Sequence, residues 1–237
     1  MTALTPAGTP GEHYPRALER HVTALRAGHL LHVVNYHVTP PERGAELERQ
    51  LAGYLCHFDP VLPEHLDAWF RTGRWPLRRP GFVPCFFHAH REHLLAAEVL
   101  ESLGVAGWFL PPTGFVDCPP EEQAEFCEVH DLWLPETPHP DGRIALTWDE
   151  LARIGRHHVL GAHTATHAVP DQAVTPDDAE RELFDPARRL AALAGQPPVV
   201  LAWRLGLPHD PGHASTEAVR EAGYRYLVSA TMIQRMA

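Results

Sequence analysis

The chain has 237 residues, of which 44% are hydrophobic and 21% are charged, a composition that suits one globular domain and excludes long disordered segments. Its formal net charge of −10 argues against a nucleic-acid partner, and no apolar run reaches membrane-spanning length. The N-terminus lacks the basic start and apolar stretch of a signal peptide, so we expect a cytoplasmic protein.

Short apolar runs alternate with amphipathic segments along the chain, which predicts an α/β fold built from βα repeats. The apolar runs predict six strands: Leu30–Tyr36, Phe82–Phe87, Val105–Leu110, His158–Ala162, Val199–Leu205 and Tyr226–Ser229. The other segments predict eight helices: Tyr14–Ala27, Arg43–Leu55, Glu64–Arg71, Glu92–Leu103, Glu121–Val129, Trp148–Arg156, Asp177–Ala194 and Thr216–Ala222. Continuous apolar runs favour strands covered on both faces, although Pro84 in the second run cannot donate to a ladder.

Several local signals mark where these helices begin and bend. Thr147 with Glu150 predicts a capping box, and Thr175 followed by proline and two acids predicts a second helix start. Pro186 predicts a break or kink midway through the helix that follows. The proline-interrupted stretch Cys118–Thr147 predicts a long excursion that overhangs a site.

The segment Gly161-Ala-His163-Thr-Ala-Thr-His167 carries the strongest chemical signal. Two histidines four residues apart lie on one side of a helical turn, close enough to share a metal ion. They follow a predicted strand, and α/β enzymes carry their catalytic residues at the carboxyl ends of strands. The alternative is a pair of solvated loop histidines, which a chain with 18 histidines also allows.

Thr147-Trp-Asp-Glu-Leu followed by Gly-Ala-His-Thr-Ala-Thr-His resembles the metal-binding motif of the polysaccharide deacetylases (NodB homology, carbohydrate esterase family 4). Asn35-Tyr-His-Val is similar to the Tyr-His strand of the branch that acts on exopolysaccharides. The stretch Leu94–Asp117 resembles the helix and strand after the family's first catalytic motif, and Ala222-Gly-Tyr its late turn. The resemblance spans roughly residues 30–230.

The resemblance implies a distorted (β/α) barrel with fewer than eight strands, formed by a single domain over residues 1–237 with an N-terminal helical extension over 1–29. It also implies hydrolysis of acetyl groups on a saccharide or polysaccharide substrate. His163 and His167 carry over as ligands of a divalent metal, with zinc the expected ion. Such an ion polarises the acetyl carbonyl and lowers the pKa of water, while protein groups move the protons.

The chain departs from the family at its first motif, where Thr-Phe-Asp-Asp-Gly corresponds to the stretch Phe86-Phe-His88-Ala89-His90. Both acids are absent, and Ala89 offers an ion no ligand. His88 is either the third ligand or the catalytic base. In a further alternative His90 is the ligand and His88 the base, since both point to one face if the strand persists. Decay of the active site is the remaining interpretation.

Two further candidate positions lie elsewhere. Trp203 and Arg204 stand where the family has Tyr-Pro-Tyr-Gly or Arg-x-Pro-x-Gly, and are candidate substrate-binding residues. Arg204 either binds an acidic substrate group or pairs with a local carboxylate. The family's usual acid has no counterpart near the C-terminus, and the exopolysaccharide branch suggests His37 as the substitute. The alternative for His37 is a partly buried residue at a strand end.

Three functions compete on these observations. The first is a metal-dependent deacetylase that uses His163, His167 and either His88 or His90. The second is an inactive homologue that keeps the barrel and binds saccharide or acts as a regulator. The third, a metal-buffering protein, is disfavoured because the histidines are dispersed rather than clustered in tracts.

Overall fold

The computed structural model describes residues 31–135, 139, 141–230 and 232–236. The predicted helix Tyr14–Ala27 and the extension over residues 1–29 lie outside these residues. Within the described part, no helix is long and apolar enough to cross a membrane.

Strands and helices alternate along the described chain, as the sequence predicted. The strands are β1 (Leu31–Tyr36), β2 (Asp59–Pro60), β3 (Gly81–Phe87), β4 (Trp108–Leu110), β5 (Val159–Leu160), β6 (Val200–Ala202), β7 (Tyr226–Ser229) and β8 (Met232–Arg235). The helices are α1 (Gly44–Leu55), α2 (Pro63–Thr72), α3 (His93–Ser102), α4 (Thr113–Asp117), α5 (Gln123–His130), α6 (Trp148–Ile154), α7 (Pro176–Ala179), α8 (Asp185–Ala194) and α9 (Thr216–Glu221).

Seven parallel strands of the described chain, β1 to β7, form the wall of a distorted barrel. Strands β1, β3, β4 and β5 pair in that order, and β2 pairs with the start of β3. A parallel bridge between Ala162 and Leu201 joins this sheet to β6, which pairs with β7. The antiparallel β8 follows β7 and lies next to β1. The predicted distorted (β/α) barrel is therefore confirmed.

Side chains of each strand alternate between the barrel interior and the surrounding helices. In β3, Val83, Cys85 and Phe87 belong to the interior cluster, whereas Phe82 and Phe86 pack in the outer cluster with the helices. Both faces of the strand are thus buried, which explains why the apolar run is continuous rather than alternating. Burial of this kind supplies most of the driving force for the fold.

Pro84 lies in this central strand without a lost ladder bond. On the side of β3 that faces β2 and β4, β2 ends opposite Phe82 and β4 begins opposite Cys85. Pro84 falls between these two partners among the described strands, so its missing N–H leaves no acceptor unpaired there.

The predicted helix starts are confirmed. Thr147 Oγ1 accepts from the Glu150 N–H while the Glu150 carboxylate accepts from the Thr147 N–H, and Thr175 caps α7. The predicted kink takes the form of a π-helical turn, Glu180–Phe184, just before Pro186. The short elements β2, β8 and α4 were not predicted, because two- to five-residue elements carry too little periodicity.

Candidate metal centre

Three buried histidines meet at the carboxyl ends of β3 and β5, the two strands on either side of β4. His88 follows β3 directly, and His163 and His167 follow β5. Each ring offers one nitrogen, and these nitrogens all lie within 4.8 Å of one another. The exposed fractions of the three residues are 2%, 3% and 5%. This end of a parallel barrel is where loops converge, so the placement brings together residues 75 or more positions apart.

The backbone at these positions is held in the left-handed region. The φ angles are +73° at His88, +56° at Ala89, +60° at Thr164 and +58° at His167. Residues with a Cβ adopt this conformation only when the surrounding structure over-determines it, and such residues concentrate at functional sites. Here they turn the rings toward a common point.

Backbone carbonyls fix the orientation of two of the rings. Nδ1 of His163 donates to the Ala202 carbonyl at 2.9 Å, and Nδ1 of His167 donates to the His130 carbonyl at 2.7 Å. A neutral imidazole carries one proton, so each Nε2 is left with a free lone pair. This is the arrangement by which metal-binding histidines are set in one tautomer.

The electrostatic environment keeps all three rings uncharged near neutral pH. Burial lowers the pKa of His163 well below its usual value, and burial lowers that of His167 to about 4. The pKa of His88 is also far below its usual range, because the ring is buried and lies beside His163 and His167. Neutral imidazoles are the form that binds a metal ion.

An unpartnered ring nitrogen of His88 is a further reason why the triad fits a divalent ion. Nδ1 of His88 is buried and has no hydrogen-bond partner in the described structure, and a polar atom left in this way costs free energy. Three histidines are a ligand set that zinc accepts. His88, His163 and His167 would therefore hold the ion.

His90 lies apart from this triad. Its Nδ1 is 2.9 Å from the His37 carbonyl and its Nε2 is 2.6 Å from the Trp133 carbonyl, so both nitrogens already face backbone oxygens. The argument that His88 and His90 share a face required the strand to continue, but β3 ends at Phe87 and the left-handed turn follows. His93 supports the same segment, with Nε2 3.2 Å from the His37 carbonyl.

His37 lies beside the triad and is held by aromatic stacking. Its ring stacks on Phe87 at 5.4 Å and on Trp133 at 5.7 Å, and its centroid is 4.9 Å from that of His88. Burial lowers its pKa, so the ring is neutral at neutral pH. Among the described residues no group bonds to its ring nitrogens, which leaves them available to a ligand.

A cleft of about 310 Å³ opens over these rings. Trp203 lines it, whereas the Arg204 guanidinium pairs with Asp131, with Nη2 and Oδ2 3.2 Å apart. The contact corresponds to the alternative in which Arg204 pairs with a local carboxylate rather than with an acidic substrate group. Asp131 and Trp133 also line the cleft and come from the excursion Cys118–Thr147, which overhangs the site as predicted. Neither residue was singled out in the sequence, since neither belongs to a motif.

Comparison with solved structures identifies several proteins of the same fold. The chain matches the Streptococcus pyogenes deacetylase PplD, solved in complex with acetate, at a TM-score of 0.59 and 15% identity, covering 82% of this chain and 79% of that one. It matches IcaB from Ammonifex degensii at a TM-score of 0.59 and 18% identity, covering 85% of this chain and 87% of that one. It matches a de-N-acetylase from Aggregatibacter actinomycetemcomitans at a TM-score of 0.58 and 13% identity, covering 88% of this chain and 90% of that one.

No family model and no curated protein matches the sequence. At identities of this size the structural likeness establishes a shared fold, and the assignment of an activity depends on the chemistry of the site.

Proposed function

We propose that this protein is a metal-dependent hydrolase of the polysaccharide deacetylase family, a single-domain enzyme that removes acetyl groups from N-acetylated sugars of a saccharide polymer. The observation that carries the proposal is the buried triad of His88, His163 and His167 at the floor of an open cleft. Its support is the fold shared with proteins described as deacetylases, one of them solved with acetate.

A divalent ion, with zinc as the candidate, supplies when bound the polarisation of the acetyl carbonyl and the lowered pKa of water. The ligand set proposed is His88, His163 and His167. His88 is then a ligand rather than the base, which leaves the movement of protons to another residue.

His37 is the residue we assign to proton transfer. Its ring is neutral, is fixed between Phe87 and Trp133, and faces the cleft beside the triad. A neutral imidazole first accepts the proton of the attacking water and, once charged, gives it to the departing amine. The same group can therefore serve as base and then as acid, although both acids of the family's first motif are absent.

The rim of the cleft is suited to a sugar. Trp133 is 60% exposed and Leu205 is 72% exposed, and both line the opening. Exposed apolar side chains at a cleft mark a ligand-binding surface more often than chance placement does. Trp203 is buried and lines the same cleft, so it offers an aromatic wall to the part of the substrate that enters.

The proposal is tested by metal analysis and acetate release in one set of proteins. Zinc-loaded wild type is expected to hold about one ion and to release acetate from N-acetylglucosamine oligomers. His88→Ala, His163→Ala and His167→Ala should each lose the ion and the activity. His90→Ala should retain the ion, and His157→Ala, at an exposed position, serves as the matched control.

A second function is favoured by one observation: the triad contains no carboxylate, and Ala89 stands where the family has a ligand. A homologue without turnover would bind saccharide in the same cleft. Oligosaccharide binding that survives chelation and His163→Ala, in a protein that releases no acetate, would establish this function and contradict the first.

A further inference from the structure

The loop that carries His163 and His167 is held on its carbonyl side by α4. The Thr113 N–H donates to the Thr164 carbonyl at 3.2 Å, and the Gly114 N–H donates to the Ala165 carbonyl at 2.8 Å. A Cβ at Gly114 would lie 2.8 Å from that same carbonyl oxygen, so only glycine allows the approach. The carbonyl groups of Thr164 and Ala165 are thereby paired.

The amides of Ala165 and Thr166 in the same loop donate to a buried carboxylate. Glu182 Oε2 accepts from the Ala165 N–H at 3.1 Å and from the Thr166 N–H at 2.9 Å, and Oε1 accepts from the Thr166 hydroxyl at 2.9 Å. Glu182 is 1% exposed. Three hydrogen bonds to a carboxylate are strong restraints on two consecutive residues between the histidines.

Glu182 reaches the loop from the π-helical turn Glu180–Phe184. In a regular α-helix the ring of Pro186 would clash with the Glu182 carbonyl, four residues earlier, and Pro186 has no N–H to donate. The wider turn accommodates the proline: the Asp185 N–H donates to the Glu180 carbonyl instead. Single π-turns are frequent at functional sites.

The buried carboxylate of Glu182 forms an ion pair with its chain neighbour. Nε of Arg181 lies 2.9 Å from Glu182 Oε1. A buried carboxylate is costly unless it is paired and fully hydrogen-bonded, and this one is both. A residue that only filled space at this position would not need a charge.

We propose that Glu182 is the positioning residue of the metal loop: it fixes the backbone between His163 and His167 and so sets the spacing of their imidazoles. The inference rests on the proposed metal site but not on turnover. It makes the π-turn, and with it Pro186, part of the machinery that prepares the site.

The test compares Glu182→Ala and Glu182→Gln with wild type in zinc affinity, measured by chelator competition, and in the visible spectrum of the cobalt-substituted protein. Glu182→Ala is expected to weaken zinc binding by roughly 10- to 100-fold and to change the cobalt spectrum. Glu182→Gln keeps one acceptor oxygen and should be intermediate. The matched control is Glu180→Gln, which alters an exposed acid of the same turn.

Thr175→Ala separates positioning from stability, since it removes the cap of the preceding helix without touching the loop. It should lower the unfolding midpoint yet leave the zinc affinity and the cobalt spectrum unchanged. If Glu182→Ala does not fold, Glu182→Gln decides the matter by the same two readouts.

Unaltered affinity and spectrum in the Glu182 variants would overturn the inference alone. The same loss of affinity in Thr175→Ala would also overturn it, because any weakening of the helix would then suffice. A wild-type protein that binds neither zinc nor cobalt would overturn the proposed metal site as well, which distinguishes the two failures.

Discussion

At the scale of single residues, the site depends on imidazoles that differ in what their nitrogens contact. His163 and His167 each have one ring nitrogen hydrogen-bonded to a backbone carbonyl. Both ring nitrogens of His90 contact backbone carbonyls, whereas His88 has a buried nitrogen with no partner in the described structure. Residue type alone does not distinguish them. The contacts do, and they assign His88 to the triad and His90 to the support of the His37 segment.

His37→Gln is expected to lower kcat by at least about 100-fold while the zinc content stays at the wild-type level, because His37 moves protons but is not a ligand. Gln keeps the polar character of the ring without its basicity. The measurement is acetate release under saturating substrate together with elemental analysis.

The control for His37 is His32→Gln, a histidine on β1, the strand that ends just before His37, with its ring against Tyr54 and Phe58 and away from the cleft. A His37→Gln protein with near-normal kcat would remove His37 from the mechanism. Loss of zinc in that variant would mean that its effect is on metal binding.

At the scale of secondary-structure elements, the start of α6 is connected to the turn that carries His88. The Glu150 carboxylate that closes the capping box of α6 also accepts from Arg91 Nε at 3.1 Å. The Leu146 N–H just before this box donates to the Ala89 carbonyl at 2.8 Å. The capping box therefore anchors the left-handed turn that presents His88.

Thr147→Ala should reduce the free energy of unfolding by about 1 kcal/mol, since it removes the side-chain acceptor of the cap. Thr147→Ser keeps the hydroxyl and should restore most of the loss. Urea unfolding of the metal-free proteins measures both values. Equal stability of the alanine and serine variants would show that the cap contributes nothing here.

At the scale of the whole molecule, the barrel buries histidines in their neutral form at both ends. Burial lowers the pKa of His90 to about 4 and that of His93 well below its usual value. Burial also lowers the pKa of His158, whose ring accepts from the Gly107 N–H. In the unfolded chain these rings have the ordinary pKa near 6.5, so below about pH 6.5 the unfolded state binds more protons than the folded state.

Stability of the metal-free protein is accordingly expected to be complete above about pH 6.5 and to fall as the pH drops toward about 4. Each buried ring contributes a slope of about 1.4 kcal/mol per pH unit within its window. Urea midpoints across this range measure the slope. His158→Gln should flatten it and the exposed neighbour variant His157→Gln should not, whereas identical profiles would contradict the account.

Much of the fold was determined by local sequence. The alternation of apolar runs and amphipathic segments predicted the βα repeats, Thr147 and Thr175 predicted two helix starts, and Pro186 predicted an irregularity in its helix, whereas the barrel was implied by the family resemblance. Each of these depends on periodicity or on steric rules that act over a few residues. The spacing of His163 and His167 belongs to the same class.

Only the tertiary structure decided which third histidine joins that pair. A strand continuing past Phe87 would have pointed His88 and His90 to one face, but the backbone turns left-handed at His88 and Ala89. Residues with a Cβ enter that region only under constraints from distant segments, here the bond from Leu146 to Ala89 and the packing of the excursion over the cleft. Long-range contacts of this kind leave no periodic trace in a single sequence, and the same is true of Glu182, Asp131 and Trp133.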